Sequence, residues 1–197
     1  MERTRKLGRK LTYVNFETGE CGFQDPTVLA NDPSLTAWGW SIVMPDGEVK
    51  QTGCIKTTPE HKKKRIRKGD DTTRRISEIN HILISIIKKW NVGLIISELP
   101  HGSQNAPAAV LIGVVTGVAH TLSDTLNIPI EWYSEQDAKK ACVGKKAVTK
   151  EDMIKAISLL YKMPWTEIKY IDEAVADSMA IFHVANQQSE LLKMMKR

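Results

Sequence analysis

The sequence predicts an α/β domain whose sheet mixes antiparallel and parallel strands and carries helices on both faces. Three runs rich in β-branched and aromatic residues come first, at residues 27–30, 37–44 and 48–57. The turn sequence Pro45-Asp46-Gly47 joins the last two runs, which predicts an antiparallel hairpin. Beyond residue 70 helical segments alternate with short apolar runs, and this alternation is typical of strands joined by helices.

The remaining elements follow from the spacing of apolar residues. Isoleucines and leucines between Ile76 and Ile87 follow the helical period, which predicts a helix from about residue 71 to residue 90. The continuous apolar run 92–97 is typical of a strand covered on both faces, and it ends in Glu98. Five further elements are predicted: a strand at 128–133 and helices at 108–126, 135–143, 149–161 and 170–187.

Length and composition indicate one globular domain. The 197 residues are 42% apolar and 26% charged, which is enough for a single core. We expect a basic N-terminal arm at residues 1–26, one domain at 27–190 and a basic tail at 191–197. The longest apolar run, 110–119, is too short for a membrane span. The three cysteines are widely spaced without a CxxC pair, which favours a reducing compartment, the cytoplasm.

Positive charge is concentrated in one segment of the chain. The net charge is +5, which favours a polyanionic partner. Residues 61–68 contain six basic side chains: Lys62, Lys63, Lys64, Arg65, Arg67 and Lys68. In this chain we favour contact with DNA phosphates, although a solvated loop or a nuclear-type targeting signal has the same composition.

Three carboxylates stand out because each lies in an apolar context. Asp32 ends the first predicted strand, Glu98 ends the fourth, and Asp177 lies among alanines and valines of the last helix. Glu173, four residues before Asp177, is about 40° away around the same helix, whereas Asp172 is about 140° away. Acids in such places need a partner or a metal ion, because burying an unpaired charge is costly.

If these acids meet, they predict a metal site. Neighbouring carboxylates repel one another and are stable together only with cations or shared protons. Hard oxygen ligands suit Mg²⁺ or Mn²⁺, and two such ions can activate water for cleavage of a phosphodiester. The alternative, left open by the spacing, is that the helical acids form a solvated face.

Four motifs together resemble the RuvC-type Holliday junction resolvases of the ribonuclease-H-like superfamily. Residues 32–40 resemble the first motif, a strand-end Asp before a glycine-containing strand, and residues 95–98 resemble the second, an apolar strand ending in Glu. Asn105, near the start of the following helix, also fits. Residues 139–150 resemble the lysine-bearing segment, and residues 177–181 resemble the closing Asp with small and apolar residues after it.

The resemblance implies a ribonuclease-H-like five-stranded sheet and a homodimer that nicks four-way DNA junctions. Asp32, Glu98 and Asp177 would bind two Mg²⁺ ions, with Mn²⁺ able to substitute. Lys150 would stabilise charge at the scissile phosphate. Further DNA contacts are expected from Lys139, Lys145, Lys146, His101 and Asn105. The host would be a bacterium or a phage-infected cell, with no membrane association.

The chain also departs from the family pattern. Ala174 stands where the family has a second acid or histidine three residues before the closing Asp, and Glu173 and Asp172 are the nearest substitutes. His101 stands where bacterial members often have an aromatic wedge. The apolar helix 108–126 is either a dimer interface or a core helix.

Three other functions remain open at this point. One is a broader nuclease that also cuts flaps and forks, the second is a non-catalytic junction-binding protein, and the third is an enzyme acting on RNA–DNA hybrids or in transposition.

Overall fold

The computed structural model describes residues 12–14, 21–23, 25–60 and 65–196, which contain seven strands and six helices. The strands are β1 (Thr12–Val14), β2 (Cys21–Phe23), β3 (Thr27–Asp32), β4 (Ala37–Val43), β5 (Val49–Lys56), β6 (Val92–Leu99) and β7 (Ile130–Ser134). The helices are α1 (Lys68–Lys89), α2 (Ala106–Leu126), α3 (Glu135–Val143), α4 (Lys150–Leu160), α5 (Lys169–Gln188) and α6 (Glu190–Met195).

The central sheet has five strands in the order β5-β4-β3-β6-β7. Strands β3, β4 and β5 are successively antiparallel, whereas β6 runs parallel to β3 and β7 runs parallel to β6. The mixed α/β sheet and its hairpin are therefore confirmed. The predicted ends of the elements differ from the observed ones by up to about three residues, because fraying ends are weakly specified by local sequence.

Two apolar layers cover the sheet, as predicted. Helices α1 and α2 cover one face, where Trp38, Leu83 and Ile95 belong to one buried cluster. Helix α5, supported by α3 and α4, covers the other face, where Ile96 and Phe182 belong to a second cluster. The side chains of β6 alternate between the two layers, which is why its sequence is apolar at nearly every position.

Helix α5 approaches strand β4 closely because Gly39 has no side chain. A Cβ atom at Gly39 would lie 2.1 Å from the carbonyl oxygen of Ala174. A buried hydrogen bond of 2.7 Å between the hydroxyl groups of Ser41 and Ser178 joins the same two elements. These contacts fix the height of α5 over the sheet, and with it the position of Asp177.

Both ends of the chain contain secondary structure within segments predicted as an arm and a tail. Within residues 1–26, β1 and β2 pair as an antiparallel two-stranded sheet. Within residues 191–197, most residues belong to helix α6, and Leu192 is fully buried in the core. The C-terminal segment is thus packed against the domain as far as the structure describes it.

Helix α2 is long and apolar enough to cross a membrane by length and composition alone. In this fold, however, it connects β6 to β7, which are hydrogen-bonded neighbours in one sheet. A membrane crossing would put these two strands on opposite sides of the bilayer. Helix α2 is therefore a crossover helix of an α/β domain.

Candidate active site

Sheet geometry brings Asp32 and Glu98 to the same edge. Asp32 is the last residue of β3, and the parallel register pairs Asn31 with Ser97, the residue before Glu98. The carboxyl ends of parallel strands meet at one edge of a sheet, so the two acids become neighbours. Asp177 joins them from α5, one helical turn beyond the close contact of Ala174 with Gly39.

Burial is the largest cause of the raised pKa values of the three acids. Burial, followed by the charge of Asp177, raises the pKa of Asp32 to about 7. Burial, followed by the charges of Asp32 and Asp177, raises the pKa of Glu98 to about 8. Burial also raises the pKa of Asp177, although the positive charge of Lys150 opposes this effect. Such a cluster is stable near neutral pH only with bound protons or cations.

Lys150 supplies one cation to the cluster. It is the first residue of α4, directly after Thr149, which forms a capping box with Asp152 as predicted. Its amino group makes a hydrogen-bonded ion pair with Asp177. Burial opposes the charge of Lys150, but the combined attraction of Asp177, Asp32 and Glu98 outweighs it and raises its pKa.

A fourth acid at this sheet edge, Glu135, was not predicted from the sequence. It is the first residue of α3 and follows the end of β7, where Tyr133 pairs with Glu98. Its charge raises the pKa of all three predicted acids, Asp32, Glu98 and Asp177. The signal was present in the sequence, because an acid after a third parallel strand lies at the same sheet edge.

Glu135 also interacts with two residues that were predicted to bind DNA. Its carboxylate oxygens lie 2.5 Å from the amino group of Lys139 and 3.8 Å from Nδ1 of His101. The hydrogen bond from Lys139 lowers the pKa of Glu135, so this acid is ionised at neutral pH. Lys139 and His101 therefore lie beside the acidic cluster.

The two substitutes considered for the missing acid have other partners. The carboxylate of Asp172 accepts hydrogen bonds of 2.9 and 2.8 Å from the backbone and hydroxyl groups of Thr166. Asp172 therefore stabilises the loop that leads into α5. Glu173 lies 3.7 Å from the amino group of Lys169 on the same helix. Ala174 itself is buried against β4 and offers no side-chain oxygen.

The other predicted DNA-binding residues lie at the surface. Asn105 caps helix α2, because its side-chain oxygen accepts a hydrogen bond of 3.1 Å from the backbone of Ala108. Lys145 and Lys146 are exposed in the turn between α3 and α4. In the basic segment, Arg65, Arg67 and Lys68 are exposed. Lys62, Lys63 and Lys64 lie outside the described residues.

A buried arginine supports the loop that follows Asp32. Arg75 of α1 donates hydrogen bonds of 2.7 Å to the Thr57 hydroxyl, 3.0 Å to the Leu35 carbonyl and 3.0 Å to the Thr36 hydroxyl. It therefore joins the loop after Asp32 to the end of β5.

The residues at the sheet edge fit divalent metal ions. All candidate ligands are carboxylate oxygens, which Mg²⁺ and Mn²⁺ prefer. Burial and repulsion between the acids raise the pKa values of Asp32 and Glu98, and a bound cation would offset both effects. Within residues 25–60 and 65–196, no three Asp, Glu, His or Cys side chains already converge as a ligand set. Metal binding would therefore require side-chain rotations, beginning with the Lys150–Asp177 pair.

The fold and site together define a ribonuclease-H-like nuclease, an α/β protein with carboxylates at the edge of a mixed sheet. The family model described as crossover junction endodeoxyribonuclease RuvC matches residues 28–183. The chain therefore belongs to the RuvC family.

Relatives and solved structures agree with this assignment. The RuvC enzyme of Shewanella oneidensis is 26% identical to this chain, and the match covers 82% of this chain and 88% of that protein. The RuvC enzyme of Sodalis glossinidius is 27% identical, and the match covers 83% of this chain and 90% of that protein. The structure of Thermus thermophilus RuvC in complex with a Holliday junction matches with a TM-score of 0.64 and 16% identity, covering 81% of this chain and 92% of that one. The yeast mitochondrial Holliday junction resolvase Ydc2 matches with a TM-score of 0.58 and 13% identity, covering 87% and 82%.

Proposed function

We propose that this protein resolves four-way DNA junctions as a metal-dependent endonuclease that makes paired symmetric nicks. The observation that carries the proposal is that Asp32, Glu98 and Asp177 lie near enough to Lys150 at one sheet edge to act on its charge, in a chain of the RuvC family. An enzyme that cleaves DNA must share a compartment with its substrate, so we propose that it acts in the cytoplasm of a bacterium or a phage-infected cell.

Each residue of the cluster has a chemical role in this proposal. Asp32, Glu98 and Asp177 would hold two Mg²⁺ ions, for which Mn²⁺ would substitute. Bound ions of this type supply an activated water and stabilise the leaving oxygen of a phosphodiester. Lys150, next to Asp177, neutralises negative charge at the scissile phosphate. Lys139 binds a neighbouring backbone phosphate when DNA replaces its contact with Glu135.

A homodimer matches the two-fold symmetry of a four-way junction, and helix α2 is the proposed interface. Its solvent-facing side is apolar and made of small residues: Ala106, Val110, Gly113 and Gly117 are exposed at helical spacing. Val110 is 65% exposed, and the helix contains no Asp, Glu, Lys or Arg before Asp124. Small residues let two helices approach closely and bury this face.

Sedimentation velocity tests the interface with one matched pair of variants. Val110→Glu places a charge on the proposed interface and should convert the dimer to a monomer. Leu159→Glu places the same charge on another exposed apolar position, 89% exposed on α4, and should leave the dimer intact. A dimer that survives Val110→Glu and dissociates with Leu159→Glu would move the interface to α4.

The first test of the activity is the cleavage of a labelled immobile four-way junction in Mg²⁺, with Asp32→Asn as the matched variant. We expect paired symmetric nicks by the wild type, and their loss in Asp32→Asn with junction binding retained in a gel-shift assay. Binding without nicks in either Mg²⁺ or Mn²⁺ would make the protein a non-catalytic junction binder. Equal cleavage of flaps and forks would make it a broader branched-DNA nuclease, and cleavage of an RNA–DNA hybrid would indicate the third alternative.

A further inference from the structure

We infer that Glu135 is the fourth carboxylate of the metal centre and takes the place of the acid that is missing at Ala174. This inference rests on the proposed function, since it adds a ligand to the same site. It assigns a role to a residue at the start of α3, a different element from the helix that carries Ala174.

The placement of Glu135 follows from the strand register. Strand β7 pairs in parallel with β6, and the pairs Glu98–Tyr133 and Leu99–Ser134 bring their carboxyl ends level. Glu135 is the next residue and begins α3, with Ser134 as the N-cap. Its backbone is therefore held at the same sheet edge as Glu98.

The contacts of Glu135 place its carboxylate beside the loop that follows Glu98. Its partner His101 lies only three residues beyond Glu98, on the loop that leaves the same sheet edge. Lys150, which is paired with Asp177, also acts electrostatically on Glu135. The acids from β3, β6 and α5 all experience its charge, as described above.

Asp172 and Glu173 have partners away from the site, whereas the partners of Glu135 are side chains that a metal ion could displace. Asp172 is fixed by two hydrogen bonds from Thr166, and Glu173 pairs with Lys169. The partners of Glu135 are two side chains, of which His101 is 50% exposed and Lys139 has four rotatable side-chain bonds. A divalent ion can replace the positive charge of Lys139 at Glu135, and this exchange frees Lys139 to bind a DNA phosphate.

The test is the affinity of the DNA-free 197-residue protein for Mn²⁺, measured by calorimetry and by electron paramagnetic resonance of the unbound ion. The variants are Glu135→Gln, the matched control Glu173→Gln, the partner variant Lys139→Met, and Asp32→Asn. We expect Glu135→Gln to weaken Mn²⁺ binding about tenfold or more. Glu173→Gln should stay within about twofold of the wild type, and Lys139→Met should bind Mn²⁺ at least as tightly as the wild type.

Circular dichroism in EDTA verifies that each variant is folded, and Glu135→Asp provides a second variant with the charge retained but the reach shortened. This variant should bind Mn²⁺ with an affinity between those of the wild type and Glu135→Gln. If Glu135→Gln binds Mn²⁺ as tightly as the wild type and Asp32→Asn does not, the inference about Glu135 is overturned, but the proposed metal centre is still supported. An equal loss in Lys139→Met would show that Glu135 only positions Lys139. Undiminished affinity in Asp32→Asn would overturn the proposed metal centre itself.

Discussion

Removing the charge of Asp32 should stabilise the metal-free protein while abolishing its activity. In the absence of metal, Asp32 is a poorly solvated carboxylate that faces Asp177, and its pKa is raised from 3.8 to about 7. Asn keeps the shape and removes the repulsion. We therefore expect Asp32→Asn to raise the free energy of unfolding in EDTA, unlike most substitutions in a buried position.

The size and pH dependence of the effect follow from the pKa values. One pKa unit is worth about 1.4 kcal/mol, so the rise for Asp32 corresponds to about 4 kcal/mol as an upper bound. Because side chains and water relax around the charge, we expect a gain of about 2 kcal/mol at pH 8. A raised carboxylate pKa means that the native state binds more protons than the unfolded chain, so wild-type stability falls as pH rises from about 4 to about 8. The gain from Asp32→Asn should therefore be smaller at pH 5.

Urea unfolding in EDTA at pH 5, 6.5 and 8 measures the effect, with Asp46→Asn as the control. Asp46 lies in the exposed hairpin turn and accepts a hydrogen bond from the backbone of Glu48, which Asn can also accept. This control should change stability by less than about 0.5 kcal/mol. Saturating Mg²⁺ should reverse the order, because only the wild type binds it fully. A less stable Asp32→Asn protein in EDTA at pH 8, or wild-type stability that does not fall between pH 6.5 and pH 8, would refute the reasoning.

Three further substitutions test the contacts around the site. Gly39→Ala should destabilise the protein by about 1–3 kcal/mol in urea unfolding, because the new methyl group would overlap the Ala174 carbonyl. The control Gly69→Ala should cause no loss of stability, because a Cβ atom at Gly69 would have no neighbour within 4 Å. Equal stability of the two variants would contradict the close packing of α5. Lys150→Met should slow single-turnover nicking about 100-fold with junction affinity retained, and an unchanged rate would remove Lys150 from the catalytic residues. Arg75→Leu should cost about 3 kcal/mol in thermal or urea unfolding, since the buried Thr57 hydroxyl and Leu35 carbonyl each lose a hydrogen bond from the guanidinium, and a loss below about 1 kcal/mol would mean that water replaces it.

Much of the fold could be predicted because its signals are local. The hairpin at Pro45-Asp46-Gly47 is specified by turn residues, and the capping box at Thr149 by two side chains three residues apart. The apolar run of β6 predicted a strand covered on both faces, and two buried layers confirm it. Periodicity and turn chemistry act over a few residues, so a single sequence contains them in full.

The sequence by itself determined the order of the elements. It also placed Asp32 at the end of β3, Glu98 near the end of β6, Asp177 within α5 and Lys150 at the start of α4. Only the tertiary structure decided which acids meet. Strand register brought Glu135 to the cluster, and a hydrogen-bonded loop took Asp172 away from it. The physical reason is that a carboxylate's role depends on neighbours that are distant in the chain, and those neighbours are set by sheet pairing and by the packing of α5 on Gly39.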